Sequence, residues 1–236
     1  MLSRRLFMIG LSATALAACS STRTPVVQEP MIDPYYQRMY GAILGEKFPI
    51  AAMDLRRVDP RWWRQEVPYM TSERPGTIVI DTPQHFLYLV LEGGRALRYG
   101  IGVGKDESLV FRGPATIGRK AEWPRWTPTK SMIAREPERY GPYAGGMPGG
   151  PENPLGPRAL YLYKNGADTL FRLHGTTEPY TIGTNVSSGC IRFMNQDIID
   201  LYARVPVGSR VVVINSPTVA TVSSASVLPV AQAALF

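Results

Sequence analysis

The sequence predicts a mainly β protein, a β-sandwich or partial barrel with one or two short helices and a long Gly/Pro-rich lid loop. Three observations lead there. Short runs of β-branched and aromatic residues recur from residue 77 onward, each bounded by Gly, Asn or Pro. Gly numbers 22 and Pro 21 among 236 residues, which argues against a helical bundle. Hydrophobic residues make up 44% and charged residues 19%, enough to bury a core and too apolar for wholesale disorder.

Taken in order, residues 1–19 read as an export signal. Arg4 and Arg5 precede an apolar run from Leu6 to Ala18, the length of a signal-peptide h-region and short for a membrane span. The run closes on Leu16-Ala17-Ala18-Cys19, which resembles a lipobox whose Cys19 becomes a lipidated N-terminus. Ser3-Arg4-Arg5-Leu6-Phe7-Met8 also resembles a twin-arginine signal, and the choice between the two export routes stays open. Residues 20–74 read as a tether, rich in Ser, Thr, Pro and Gln to about Pro30, followed by an extension without clear periodicity. Its Arg61-Trp62-Trp63-Arg64 run is expected to pack on the main domain.

The main domain is expected at 75–215. Thr77–Ile80, Phe86–Leu91 and Arg95–Val103 read as strands, the last two joined by Glu92-Gly93-Gly94. Gly100, Gly102 and Gly104 alternate, but Lys105 breaks the dinucleotide pattern and no helix follows. Residues 112–158 read as a lid loop carrying Trp123 and Trp126. Ala159–Tyr163 and Leu170–Leu173 form a further strand pair around Asn165-Gly166. Asn195–Val205 suits a short amphipathic helix, with Asn195 as its cap, and Ser209–Ile214 a last strand. Residues 216–236 read as a disordered tail.

The formal net charge of +7 favours anionic partners such as a lipid surface or a wall polymer. No Lys/Arg block interleaved with aromatics marks a nucleic-acid surface, so nucleic acid is not expected. With Cys19 assigned to lipid, Cys190 has no disulfide partner. It follows His174 by sixteen positions, in Ser187-Ser188-Gly189-Cys190-Ile191-Arg192. A thiol needs its thiolate to attack, and a neighbouring imidazole can take the proton and poise the pair near neutral pH. Arg192 adds positive charge that favours a thiolate or grips a carboxylate. A buried, inert Cys/His pair remains the alternative. The other histidine, His85, reads as structural.

These residues resemble the L,D-transpeptidase catalytic domain, the YkuD family. Its motif is a His followed, after a gap, by Ser/Thr-His-Gly-Cys; here it stands as His174-Gly175 and Ser187-Ser188-Gly189-Cys190-Ile191-Arg192. Pro75–Asp81, Asn153–Gly156 with Ala159–Leu162, and Asn195–Tyr202 carry the likeness across roughly 75–215. One position departs from the motif, Ser188 standing where the family usually has His. The resemblance implies a peptidoglycan enzyme without metal or organic cofactor. Cys190 would attack the third residue of a tetrapeptide stem with loss of D-Ala, and His174 would act as base, oriented by the Gly175 carbonyl. The N–H groups of Gly189 and Cys190, with Ser188 nearby, would form an oxyanion hole, each donor supplying roughly 3–4 kcal/mol. Ser187 and Arg192 would contact substrate. The acceptor would be a second stem or a wall-attached protein. The protein would sit in the periplasm, tethered to a membrane through Cys19, the outer membrane slightly favoured by Ser20. Two rivals stand beside it: hydrolysis of the same thioester, giving an L,D-carboxypeptidase or amidase, and an inactive lipid-tethered wall-binding module.

Overall fold

The computed structural model describes residues 31–105, 111–187 and 189–214. The expected signal with Cys19, most of the tether, Ser188 and the tail lie outside the described residues. Among the described residues eleven strands follow in chain order: β1 Gln65–Pro68, β2 Ile78–Asp81, β3 Phe86–Leu91, β4 Arg95–Gly100, β5 Val103–Gly104, β6 Ala115–Glu122, β7 Arg158–Lys164, β8 Ala167–His174, β9 Asn185–Ser187, β10 Ile191–Arg192 and β11 Arg210–Ile214. Four short helices accompany them: α1 Pro34–Met39, α2 Lys130–Arg135, α3 Pro137–Tyr140 and α4 Asn195–Arg204.

Nine strands make one mixed sheet in the order β1-β4-β3-β2-β11-β6-β7-β8-β10. The β2/β11 and β8/β10 pairs are parallel, the others antiparallel. The sheet curls back on itself. Gly102, just past β4, exchanges two backbone hydrogen bonds of 2.9 Å with Arg192 of β10, so the sheet closes between the end of β4 and β10. Ile78, Leu87, Tyr99, Ile117, Leu160, Leu173, Ile191 and Val211, one from each of eight strands, fall into a single core with Ile198 and Leu201 of α4. A flat sheet could not bring its two ends into one core, and curling is what hides its edges. Of the alternating glycines, Gly102 makes this closure, a Cβ on Gly100 would meet the Trp62 carbonyl oxygen at 2.6 Å, and no helix follows them. Asn165 and Gly166 turn β7 into β8 with φ of 52° and 78°, the positive pair that matches strand twist.

The expected lid is too long by one strand. Ala115–Glu122 is a central strand between β11 and β7, with a bulge between Ile117 and Arg119. Gly118 disguised it, because the strand has no side chain where the Tyr163 ring crosses: a Cβ there would lie 2.2 Å from the ring. We predict that Gly118→Ala costs about 1–3 kcal/mol through overpacking, read as a drop in thermal midpoint. Only residues 123–157 form the irregular cover, with α2 and α3 inside it.

The sheet also begins before residue 75, since β1 pairs with β4. The preceding segment is docked rather than loose. Tyr40, Leu55, Val58 and Trp63 form a second core with Ile182 and Met194. Polar contacts pin it further. Tyr40 Oη accepts from the Arg64 N–H at 2.6 Å and donates to Asp197 at 3.1 Å. Gln196 donates to the Ala51 carbonyl at 3.0 Å. Arg158 grips Glu46 with two contacts of 2.8 and 2.5 Å, and the Trp123 indole donates to the same carboxylate at 3.0 Å. Trp123 therefore anchors the extension, whereas Trp126 faces the cavity described next.

Candidate active site

The site is set by the parallel register of β8 and β10. Leu173 stands opposite Ile191, and His174 opposite Arg192. Side chains alternate between faces, and opposed residues share a face. Arg172 and His174 therefore lie on one face of β8, and Arg192 joins them, with Cys190 at the entry to β10. A cavity of about 460 Å³ opens there, lined by Cys190, His174 and Arg192 and covered by Trp126, Met132 and Tyr140.

His174 is only 5% exposed. Its Nδ1 lies 2.6 Å from the Gly175 carbonyl oxygen. A carbonyl can only accept, so this contact assigns the proton to Nδ1 and leaves the Nε2 lone pair available. Burial, reinforced by the Arg192 and Arg172 charges, pushes the imidazole down to about 3, although the Gly175 and Pro154 carbonyls pull the other way. The turn after His174 is held from outside. The Gly175 N–H donates to the Arg158 carbonyl at 3.3 Å, and the Thr176 N–H to Asn195 Oδ1 at 2.9 Å. A Cβ on Gly175 would meet that same Oδ1 at 2.3 Å. Asn195 is thus not the expected cap, a position that Met194 occupies; it ties α4 to the His174 turn.

Cys190 is half-buried at the cavity wall and unpaired. Its Sγ points to the Leu170 carbonyl oxygen at 3.8 Å. Burial pushes the thiol up, with Arg172 and then Arg192 opposing. The expected pair poised near neutral pH is therefore replaced by a neutral thiol beside a neutral imidazole. At Cys190 desolvation outweighs the arginines, and at His174 the two act together, because a cation disfavours a second positive charge. Among the described residues no hydrogen bond joins Sγ to the imidazole. The two groups share a cavity and a strand pair, and the thiol has to turn from Leu170 to reach Nε2.

Three expected substrate groups are engaged within the protein. Ser187 is buried; its hydroxyl donates to the Cys190 carbonyl at 2.6 Å and accepts the Gly189 N–H at 3.1 Å. It braces the cysteine loop instead of presenting a free hydroxyl to substrate. That bond also removes the Gly189 N–H from the expected oxyanion hole. The Cys190 N–H has no acceptor among the described residues. Arg192 pairs with Glu178 at 2.7 Å, so its guanidinium already holds a carboxylate. Ser188 lies outside the described residues. His85, with φ of 58°, contacts Asn185 Oδ1 at 2.6 Å and the edge of Trp62, a structural place. Among the described residues no group of three or more His, Cys, Asp or Glu is arranged to hold a metal ion.

Arg172 and the Leu170 carbonyl, neither expected at the site, lie beside Cys190. Arg172 was visible as the residue two before His174, which shares its face of the strand. The Leu170 carbonyl was not, because a bulge redirects it.

The curled mixed sheet thus brings His174, at the end of β8, and Cys190, at the entry to the parallel β10, to the wall of one cavity under an irregular cover. The profile of the L,D-transpeptidase catalytic domain, YkuD, matches residues 75–213. The chain belongs to the YkuD family of L,D-transpeptidase catalytic domains. It is 38% identical over 148 residues to "Probable L,D-transpeptidase YbiS" of Escherichia coli (strain K12), covering 61% of this chain and 46% of that protein. It is 34% identical over 154 residues to "Probable L,D-transpeptidase ErfK/SrfK" of the same organism, covering 65% and 48%. The chain thus spans about half the length of these curated relatives. A solved structure described as a "Probable carnitine operon oxidoreductase caia from Brucella melitensis" shares 52% identity over 68% of this chain and 99% of that one, with a TM-score of 0.46.

Proposed function

We propose that the protein is a peptidoglycan L,D-transpeptidase that forms a Cys190 thioester with a tetrapeptide stem. The observation that carries this reading is the placement of the Cys190 thiol and a neutral, Nδ1-protonated His174 on one wall of one cavity. His174 Nε2 takes the thiol proton, Sγ attacks the carbonyl of the third stem residue, and D-Ala leaves with the proton. The Cys190 N–H is the donor for the developing oxyanion. An amine acceptor, a second stem or a wall-attached protein, then resolves the thioester. Water as acceptor gives the carboxypeptidase or amidase reaction from the same intermediate. We further propose export to the periplasm with a lipid on Cys19, by the lipobox resemblance alone.

The test is product analysis. Purified disaccharide-tetrapeptide is expected to yield dimers cross-linked through the third residues, with one D-Ala released per link. Monomeric tripeptide alone would assign hydrolysis, and unchanged substrate would reject both. Labelled palmitate should enter the wild-type chain in cells and be absent from Cys19→Ala.

The pH profile is a second test. A base must be unprotonated to act, and His174 keeps its base form down to about 3 instead of its ordinary 6.5. The acid limb of kcat/KM, which reports the free enzyme, should therefore not fall near pH 6.5 but only as pH approaches 3. A midpoint near 6.5 would place the imidazole in water.

A further inference from the structure

We propose that Arg172 is the counter-cation of the Cys190 thiolate, brought to the sulfur by a β-bulge centred on Leu170. The bulge is visible in the register of β7 and β8. Tyr161 faces Arg172 and Tyr163 faces Asp168, so Thr169, Leu170 and Phe171 together oppose Leu162. Leu170 takes up the surplus at φ 65°, a left-handed conformation unusual for leucine, and is 58% exposed. Side chains brace this conformation. Asp168 Oδ1 accepts the Leu170 N–H at 2.8 Å, and Thr169 Oγ1 donates to the Leu162 carbonyl at 2.7 Å while accepting the Phe171 N–H at 3.2 Å.

The result is that one carbonyl, that of Leu170, collects two donors: the Cys190 thiol at 3.8 Å and the Arg172 Nη1. Sulfur and guanidinium therefore converge on one oxygen. The guanidinium is seated over the Tyr161 ring at 4.8 Å, whose ring Arg119 also covers at 3.5 Å, and has only a loose partner in Asp168 at 3.7 Å. Arg192, the other cation nearby, is held by Glu178 at 2.7 Å. Arg172 is accordingly the better placed of the two to answer a new negative charge, and its influence is the largest of those that favour the thiolate against burial. When the S–H bond breaks, the electron pair stays on Sγ and the proton goes to His174 Nε2. Arg172 keeps its own protons and supplies only charge and hydrogen bonds.

This rests on Cys190 as the nucleophile, but the test needs no stem peptide, so it fails separately from the transpeptidase reading. Alkylation of the full chain by iodoacetamide is followed against pH, with the site located by mass spectrometry. A one-unit rise in thiol pKa is a tenfold change in thiolate fraction. Arg172→Met should lower the rate at pH 8 by about tenfold and move the curve to higher pH. Arg172→Lys should restore most of it. Asp168→Asn, which keeps the acceptor for the Leu170 N–H and removes the competing charge, should raise the rate by roughly two- to threefold. Thermal melts identify any variant that fails to fold; should Arg172→Met do so, the Lys and Asn variants decide. Superimposable curves for wild type and Arg172→Met, or a slower Asp168→Asn, would overturn the proposal.

Discussion

His174→Gln lowers the rate of thioester formation on the order of 10²–10⁴-fold, the usual contribution of a positioned general base. The imidazole is unprotonated at neutral pH and able to accept the thiol proton. The thiol starts protonated, pushed up by its surroundings, so little thiolate exists without a base. Glutamine can still donate to the Gly175 carbonyl and hold the turn, but it offers no basic nitrogen. The thermal midpoint should therefore move far less than the rate. Stopped-flow acylation with a thioester-forming β-lactam, read beside a melting curve, separates the two. A rate within threefold of wild type would remove His174 from the chemistry.

Glu46→Gln is expected to cost about 3 kcal/mol, the lower end for breaking a buried ion pair by removing one partner. Arg158 stands at the start of β7 with 9% of its side chain exposed, and Glu46 at 13% is its close carboxylate; Glu122, 4.0 Å away, is 62% exposed. For a domain of this size the loss amounts to roughly 6–12 °C in Tm. The effect reaches the site, because the Arg158 carbonyl accepts the Gly175 N–H and Ala159 pairs with His174. Its pH dependence has a definite sign. The Arg158 hydrogen bond holds the folded Glu46 carboxyl below its ordinary 4.5. That stability is present above the unfolded value and is lost as pH falls through the folded one. Melting curves for wild type and Glu46→Gln should therefore differ at pH 7 and converge as pH falls through the folded carboxyl's depressed value, below its ordinary 4.5.

Much of the fold could be read from local signals. Phe86–Leu91 is a strand by its own residues, and Asn165-Gly166 is a turn by its own chemistry. α4 shows its apolar face through Ile198 and Leu201. What escaped was decided by partners distant in sequence. β6 carries Gly118 and the charged Arg119 and Lys120, and becomes a strand because β7 and β11 lie on either side. β9 and β10 have three and two residues, too short for any periodicity. The docking of residues 32–64 depends on Ile182 and Met194, more than a hundred positions away.

The site divides the same way. Cys190 and His174 were legible from the motif, and the Gly175 contact was implied by the family resemblance. The engagement of Ser187, Gly189 and Arg192 within the protein was not, since each is set by a hydrogen bond or ion pair that only the folded loop creates. The sign of the electrostatics was hidden too. Arginines beside a thiol suggest a thiolate, and only the burial of Cys190 shows why its thiol is pushed up and not down.

Cys190 is expected to be an acylable nucleophile driven by His174. Intact-mass measurement after exposure to a carbapenem addresses it directly. The wild-type chain should gain one ring-opened carbapenem, Cys190→Ala none, and His174→Gln the same adduct at a far slower rate. An unmodified wild type, or an adduct that persists in Cys190→Ala, would contradict it.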